Sequence, residues 1–77
     1  MNKSEVLENY DNYVIPNYPR HPFVIARGDG VYLWDTDGKR YLDLFSGWAV
    51  SSLGHCNPEV TKAMQEQAAT LVHVPNI

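Results

Sequence analysis

Seventy-seven residues, nine acidic against six basic side chains, a formal charge of −3 and a single cysteine set narrow bounds. Such a length holds one small domain at most, burying roughly 60% of its unfolded surface; one cysteine makes no internal disulfide; and the scattered Lys3, Arg20, Arg27, Lys39, Arg40 and Lys62 offer no clustered positive face for nucleic acid. At 44% hydrophobic and 12% aromatic the chain is too apolar for disorder, and it carries neither a signal-type apolar core nor a stretch of membrane-spanning length, so the cytoplasm is the expected compartment and a membrane partner is not expected.

Along the chain, Ser4 suits a helix cap with Glu5 just inside it, and Val6, Leu7, Tyr10, Tyr13 and Val14 recur at helical spacing. This predicts a helix over 4–15, ended by Pro16. Three prolines in 16–22 predict an irregular arm from which Tyr18, Arg20 and His21 project. A β-meander over 23–46 follows, with strands Phe23–Arg27, Val31–Asp35 and Arg40–Phe45. Gly28-Asp29-Gly30 joins the first pair. The second pair turns at Asp37-Gly38, read as a hairpin with positive φ at both central positions. Tyr32 and Trp34 share one face of their strand and Val31 and Leu33 the other, so both faces of the sheet are apolar. Residues 47–56 read as a loop. Asn57-Pro58 starts a second helix, 58–71, whose stripe of Val60, Ala63, Met64, Gln67, Ala68 and Leu71 is expected to be buried. The segment as a whole is α+β.

So apolar a chain with no disulfide or metal staple implies surface meant to be covered by something else. His73-Val74-Pro75-Asn76-Ile77 ends without charge or glycine, whereas Met1 reads as a start; an N-terminal piece of a longer protein is the expectation. Chemistry is sparse. No pair among His21, His55, His73 and Cys56 has zinc-ligand spacing, so no metal site is expected. Cys56 beside His55 at a helix start has the surroundings of an activated thiol, but a partly buried structural cysteine is the favoured reading. Gly28-Asp29-Gly30 lacks the remaining glycine of a phosphate loop and opens no helix. Lys3, Lys39 and Lys62 all fall at solvated positions, which disqualifies each as a Schiff-base amine. Trp48, among small residues, suits either a core or the wall of a ligand pocket.

The stretch GDGVYLWDTDGKRYLDLFSGWAVSSLGHCNPEVTKAMQEQ resembles the start of the class III aminotransferases that depend on pyridoxal phosphate. The acetylornithine subgroup is nearest in pattern and the ornithine subgroup next. The shared elements are Gly28 and Gly30, Trp34-Asp35, Asp37-Gly38, Tyr41 and Asp43, Ser46-Gly47, Gly54-His55, Pro58 and Gln67. The resemblance implies a complete α/β enzyme of fold type I, several times longer than this chain. It would act as a homodimer and move an amino group from N-acetylornithine, or a related ω-amino donor, to 2-oxoglutarate in arginine biosynthesis. It also implies pyridoxal 5′-phosphate as cofactor, with the Schiff-base lysine and most phosphate ligands beyond this segment. No catalytic residue is then expected here, and the chain alone should be inactive. Tyr18, Arg20, Gly47 and Trp48 fall where the family borders its substrate, and Asn76 falls in a stretch that approaches the cofactor and the subunit interface. Two positions depart from the pattern: Asn57 stands for the usual histidine, and Trp48 is larger than the residue common in the acetylornithine subgroup. The competing reading from the residues alone is a small interaction module that binds a partner through its apolar faces; a metal or redox protein built on Cys56 and the histidines is a third.

Overall fold

Asn2 begins the first helix, because its Oδ1 accepts the Glu5 amide at 2.9 Å while its Nδ2 reaches back to Glu5 Oε1 at 3.3 Å. The computed structural model describes all of residues 1–77, and in it helix α1 runs Lys3–Tyr13. The start lies ahead of the Ser4 cap expected from sequence. Asn2 and Glu5 form a reciprocal capping pair across the correct three-residue interval, which Ser4 and its neighbour Glu5 cannot. The helix also stops earlier than 15: Val14 is already extended, at φ −112 and ψ 134, two residues ahead of Pro16, which can neither donate to the helical ladder nor pack its ring inside it.

Strands β1 (Ile25–Asp29), β2 (Tyr32–Asp35) and β3 (Arg40–Leu42) form an antiparallel sheet in the order β1-β2-β3. The pairing sets Gly28 opposite Leu33, Leu33 opposite Tyr41, and Trp34 opposite both Arg27 and Arg40, with a bulge at Ala26. One face therefore carries Tyr32 and Trp34, over which the Arg40 and Arg27 guanidinium groups lie at 4.5 and 3.7 Å from the ring centroids. On the other, a stack of near-parallel rings runs His21–Phe23–Tyr41 with centroids 5.1 and 5.2 Å apart, and it docks the arm on the sheet. The third strand ends at Leu42 rather than Phe45, since Asp43 turns the chain.

Helix α2 runs Pro58–Thr70. Asn57 caps it, accepting the amides of Glu59 and Val60 at 3.0 and 3.2 Å. Its apolar stripe is not buried: Val60 is 40% exposed and Met64 67%. Neither helix lies along the sheet, and Asp35 is the one buried residue of the chain. The accessible surface is 6922 Å², against about 4,800 Å² for a folded monomer of this mass. The radius of gyration is 15.9 Å, where a compact domain of this length has about 11.5 Å. The sheet, the arm and the loops thus form a hydrogen-bonded frame without a hydrophobic core; α2 presents a bare apolar stripe, and α1 one that is only half-covered, at Val6 and Leu7.

Candidate functional site

Two carboxylates organise the frame. Asp35, at the end of β2, accepts the Tyr41 hydroxyl at 2.7 Å and the amides of Asp37 and Lys39 at 2.9 Å each. The Gly38 amide donates to the Asp35 carbonyl at 3.1 Å, and Gly38 alone in this turn has positive φ, +83. The connection is therefore a three-residue loop, Thr36-Asp37-Gly38, closed by an aspartate side chain, and not the two-residue turn with two positive φ angles expected from Asp37-Gly38. The bond from Tyr41 holds the Asp35 carboxyl below its ordinary value, against a smaller opposing effect of burial, and the same bond raises the Tyr41 phenol.

Asp43 does the same work at the end of β3. Its Oδ1 accepts the amides of Phe45 and Ser46 at 3.0 and 2.9 Å, and its Oδ2 lies 2.6 Å from His55 Nε2. The Ser46 amide first, then His55, then the Phe45 amide hold this carboxyl below its ordinary value. The His55 backbone is doubly tied to Gly30, amide to carbonyl in both directions, at 2.8 and 3.0 Å. This close approach accounts for the glycines. A Cβ on Gly28 would sit 2.8 Å from His55 Cβ, and one on Gly54 would sit 3.2 Å from the Gly30 carbonyl oxygen. Gly28-Asp29-Gly30 is thus the seat of His55.

Between these two anchors the backbone is left-handed at Ser46, Gly47, Trp48 and Ala49, with φ between +51 and +69. Such a run costs about 1–2 kcal/mol for each residue that is not glycine, and it is closed by the Ser51 amide donating to the Ser46 carbonyl at 2.9 Å. A Cβ on Gly47 would meet nothing nearer than 3.8 Å, so backbone conformation, not space, favours glycine there. Trp48 leaves the turn 82% exposed, edge-on to Phe45 at 4.5 Å.

The other expected site residues are spread out. Tyr18 is 76% exposed on the arm. Arg20 is engaged inside the arm, its guanidinium 4.8 Å from the Tyr10 ring centroid and donating to the Ile15 carbonyl at 3.2 Å. Asn76 is exposed on the extended tail after α2. No hydrogen bond, ion pair or ring contact joins Tyr18, Arg20 or Asn76 to the Gly47–Trp48 turn. Cys56 is exposed, in contrast to the partly buried cysteine expected. The clasp between Asp43 and His55 has no signal in the sequence as a pair: twelve residues separate them and no periodicity links them; only its parts are marked, by glycine at 28, 30 and 54 and by Asp43 and His55 separately within the family resemblance.

The lysines do not form a site for an aldehyde cofactor. Lys3 pairs with Asp37 at 3.4 Å, Lys62 with Glu66 at 3.9 Å, and Lys39 lies 5.3 Å from the Tyr41 ring centroid. None is desolvated.

The family model for aminotransferase class III matches residues 13–77. The acetylornithine aminotransferase of Myxococcus xanthus is 44% identical over 94% of this chain and 18% of its own length. The mitochondrial acetylornithine aminotransferase of Yarrowia lipolytica is 39% identical over 96% of this chain and 18% of its own. Among solved structures, the acetylornithine aminotransferase from Elizabethkingia anophelis superposes with a TM-score of 0.88 at 33% identity, covering 97% of this chain and 19% of that one. The ornithine δ-aminotransferase of Plasmodium falciparum gives 0.86 at 32% identity over 99% of this chain and 19% of that one. The chain spans under a fifth of the length of the curated relatives it matches.

Proposed function

The chain belongs to the class III aminotransferase family, and from that premise we propose that it is the N-terminal segment of a longer enzyme of fold type I. That enzyme transfers an amino group from N-acetylornithine to 2-oxoglutarate in arginine biosynthesis, as a cytoplasmic homodimer. What supports the reading is the superposition on an acetylornithine aminotransferase along 97% of the chain, together with apolar faces that this chain leaves bare. An ornithine donor is the second reading, because an ornithine aminotransferase superposes almost as well and Trp48 gives the turn an aromatic wall.

The family implies pyridoxal 5′-phosphate as electron sink. This chain's solvated lysines do not fit as its attachment, so the segment is inactive by itself and the cofactor is held by other parts of the enzyme. The segment supplies one wall of the substrate cleft: Gly47 and Trp48 on the left-handed turn, Tyr18 and Arg20 on the arm, with Asn76 toward the cofactor. A guanidinium suits a bidentate grip on a carboxylate once Arg20 leaves the Ile15 carbonyl.

The test is glutamate formation from 2-oxoglutarate by the complete polypeptide that carries this sequence, offered N-acetylornithine, ornithine and other ω-amino donors in parallel. Preference for N-acetylornithine supports the first reading and preference for ornithine the second. Turnover of none of them removes both.

A further inference from the structure

We propose that Asp43 and His55 are positioning residues for the substrate-facing turn, acting as a clasp that holds Trp48 in place without touching substrate. The proposal takes from the reading above that the Ser46–Ala49 turn faces the amino donor.

The turn enters at Ser46 and the loop leaves at His55. Asp43 takes the two amides at the entrance with one oxygen and the His55 ring at the exit with the other, so a single carboxylate closes both ends. The ring cannot drift, because His55 is fixed to Gly30 by two backbone bonds and sits on Gly28, where a Cβ would clash. Asp43 and His55 are mostly shielded from water, with side chains 12% and 21% exposed, which strengthens their bond relative to a surface pair. Inside this closure lies backbone that few residues other than glycine and asparagine adopt cheaply. Three of the four left-handed positions, Ser46, Trp48 and Ala49, are not glycine. Such a conformation persists only when its surroundings over-determine it, and Asp43 with His55 provides that constraint from side chains. Within this chain Trp48 touches only Phe45 among aromatic rings, so its direction is set by the turn and not by a packed core. Loosening the clasp therefore moves Trp48.

The experiment uses the complete enzyme with His55→Ala, His55→Gln and Trp48→Ala. A glutamine amide donates a hydrogen bond from nearly the place of Nε2, and so restores the clasp without an imidazole. Two readouts are taken: hydrogen–deuterium exchange over 43–53, and KM and kcat for the preferred amino donor. With His55→Ala, exchange of the Phe45, Ser46 and Ser51 amides rises and KM for the donor rises about tenfold or more, while KM for 2-oxoglutarate moves less. His55→Gln returns both readouts toward wild type.

Unchanged exchange in His55→Ala overturns the clasp. Faster exchange with an unchanged donor KM overturns the positioning role. Trp48→Ala separates the two levels: if it too leaves the donor KM unchanged, the substrate-wall reading has failed along with the positioning role. If it alone raises KM, that reading stands and only the positioning role falls.

Discussion

Single atoms decide the local structure of this chain. Gly28 and Gly30 stand two residues apart and look alike in the sequence, but they are glycine for different reasons. Gly28 leaves room for the His55 side chain, whose Cβ a new methyl would approach to 2.8 Å, whereas Gly30 has open space and needs only positive φ, +59. Gly28→Ala is expected to destabilise the frame by about 1–3 kcal/mol through overpacking, and Gly30→Asn by well under about 1 kcal/mol, since asparagine tolerates the left-handed region. Denaturant midpoints of the two variants in the complete protein would measure the difference. The two aspartates give the frame a defined pH response. Asp35 and Asp43 are held below their ordinary value of 3.8, so the unfolded chain binds their protons more readily. The stability they contribute is present above pH 3.8 and is lost as pH falls through the lowered folded values. Tyr41 is raised above its ordinary 10.0, so its contribution is present below that pH and lost as pH rises through the raised value. Carboxyl NMR titration should show Asp35 and Asp43 titrating below 3.8. Ultraviolet titration should show one of the five tyrosines ionising late, and Asp35→Asn should abolish the delay.

At the scale of elements, caps and turns carry what packing does not. Helix α2 has thirteen residues and buries none, a length at which isolated helices are marginal in water. Its start depends on Asn57, which satisfies two amides. Asn57→Ala should cost the helix about 1 kcal/mol, and Asn57→Asp should keep or improve it, since a negative charge suits the N-terminus. Exchange of the Glu59 and Val60 amides reads both outcomes. The hairpin carries the same lesson in reverse. Asp37-Gly38 marks a turn, but the Asp35 carboxylate, by taking the amides at 37 and 39, selects a three-residue loop over a two-residue one.

For the molecule as a whole, the ratio of surface to mass is the governing fact. An excess of roughly 2,100 Å² over a compact monomer, with the apolar stripe of α2 open and that of α1 half-covered, leaves little hydrophobic gain to offset chain entropy. A polypeptide of these 77 residues is therefore expected to show no cooperative thermal transition by near-ultraviolet circular dichroism and no sharp heat-capacity peak in calorimetry. A single cooperative transition of a monomer would overturn the proposal that a larger body covers these faces.

The sequence by itself determined the elements and the family. Periodicity placed both helices, alternation and turn residues found the three strands but set β1 two residues early, with Gly28 and Asp29 in the strand and not in its connection, and a spaced set of glycines, aromatics and acids from Gly28 to Gln67 pointed to the aminotransferases, because these signals are local or depend only on spacing. It also raised the expectation that so apolar a chain is covered by something else. Only the tertiary structure decided that Asp43 meets His55, that Gly28 is the seat of an imidazole, and that Ser46 to Ala49 wind left-handed. Those facts depend on two backbone segments crossing at Gly30, and no local propensity encodes where distant segments cross.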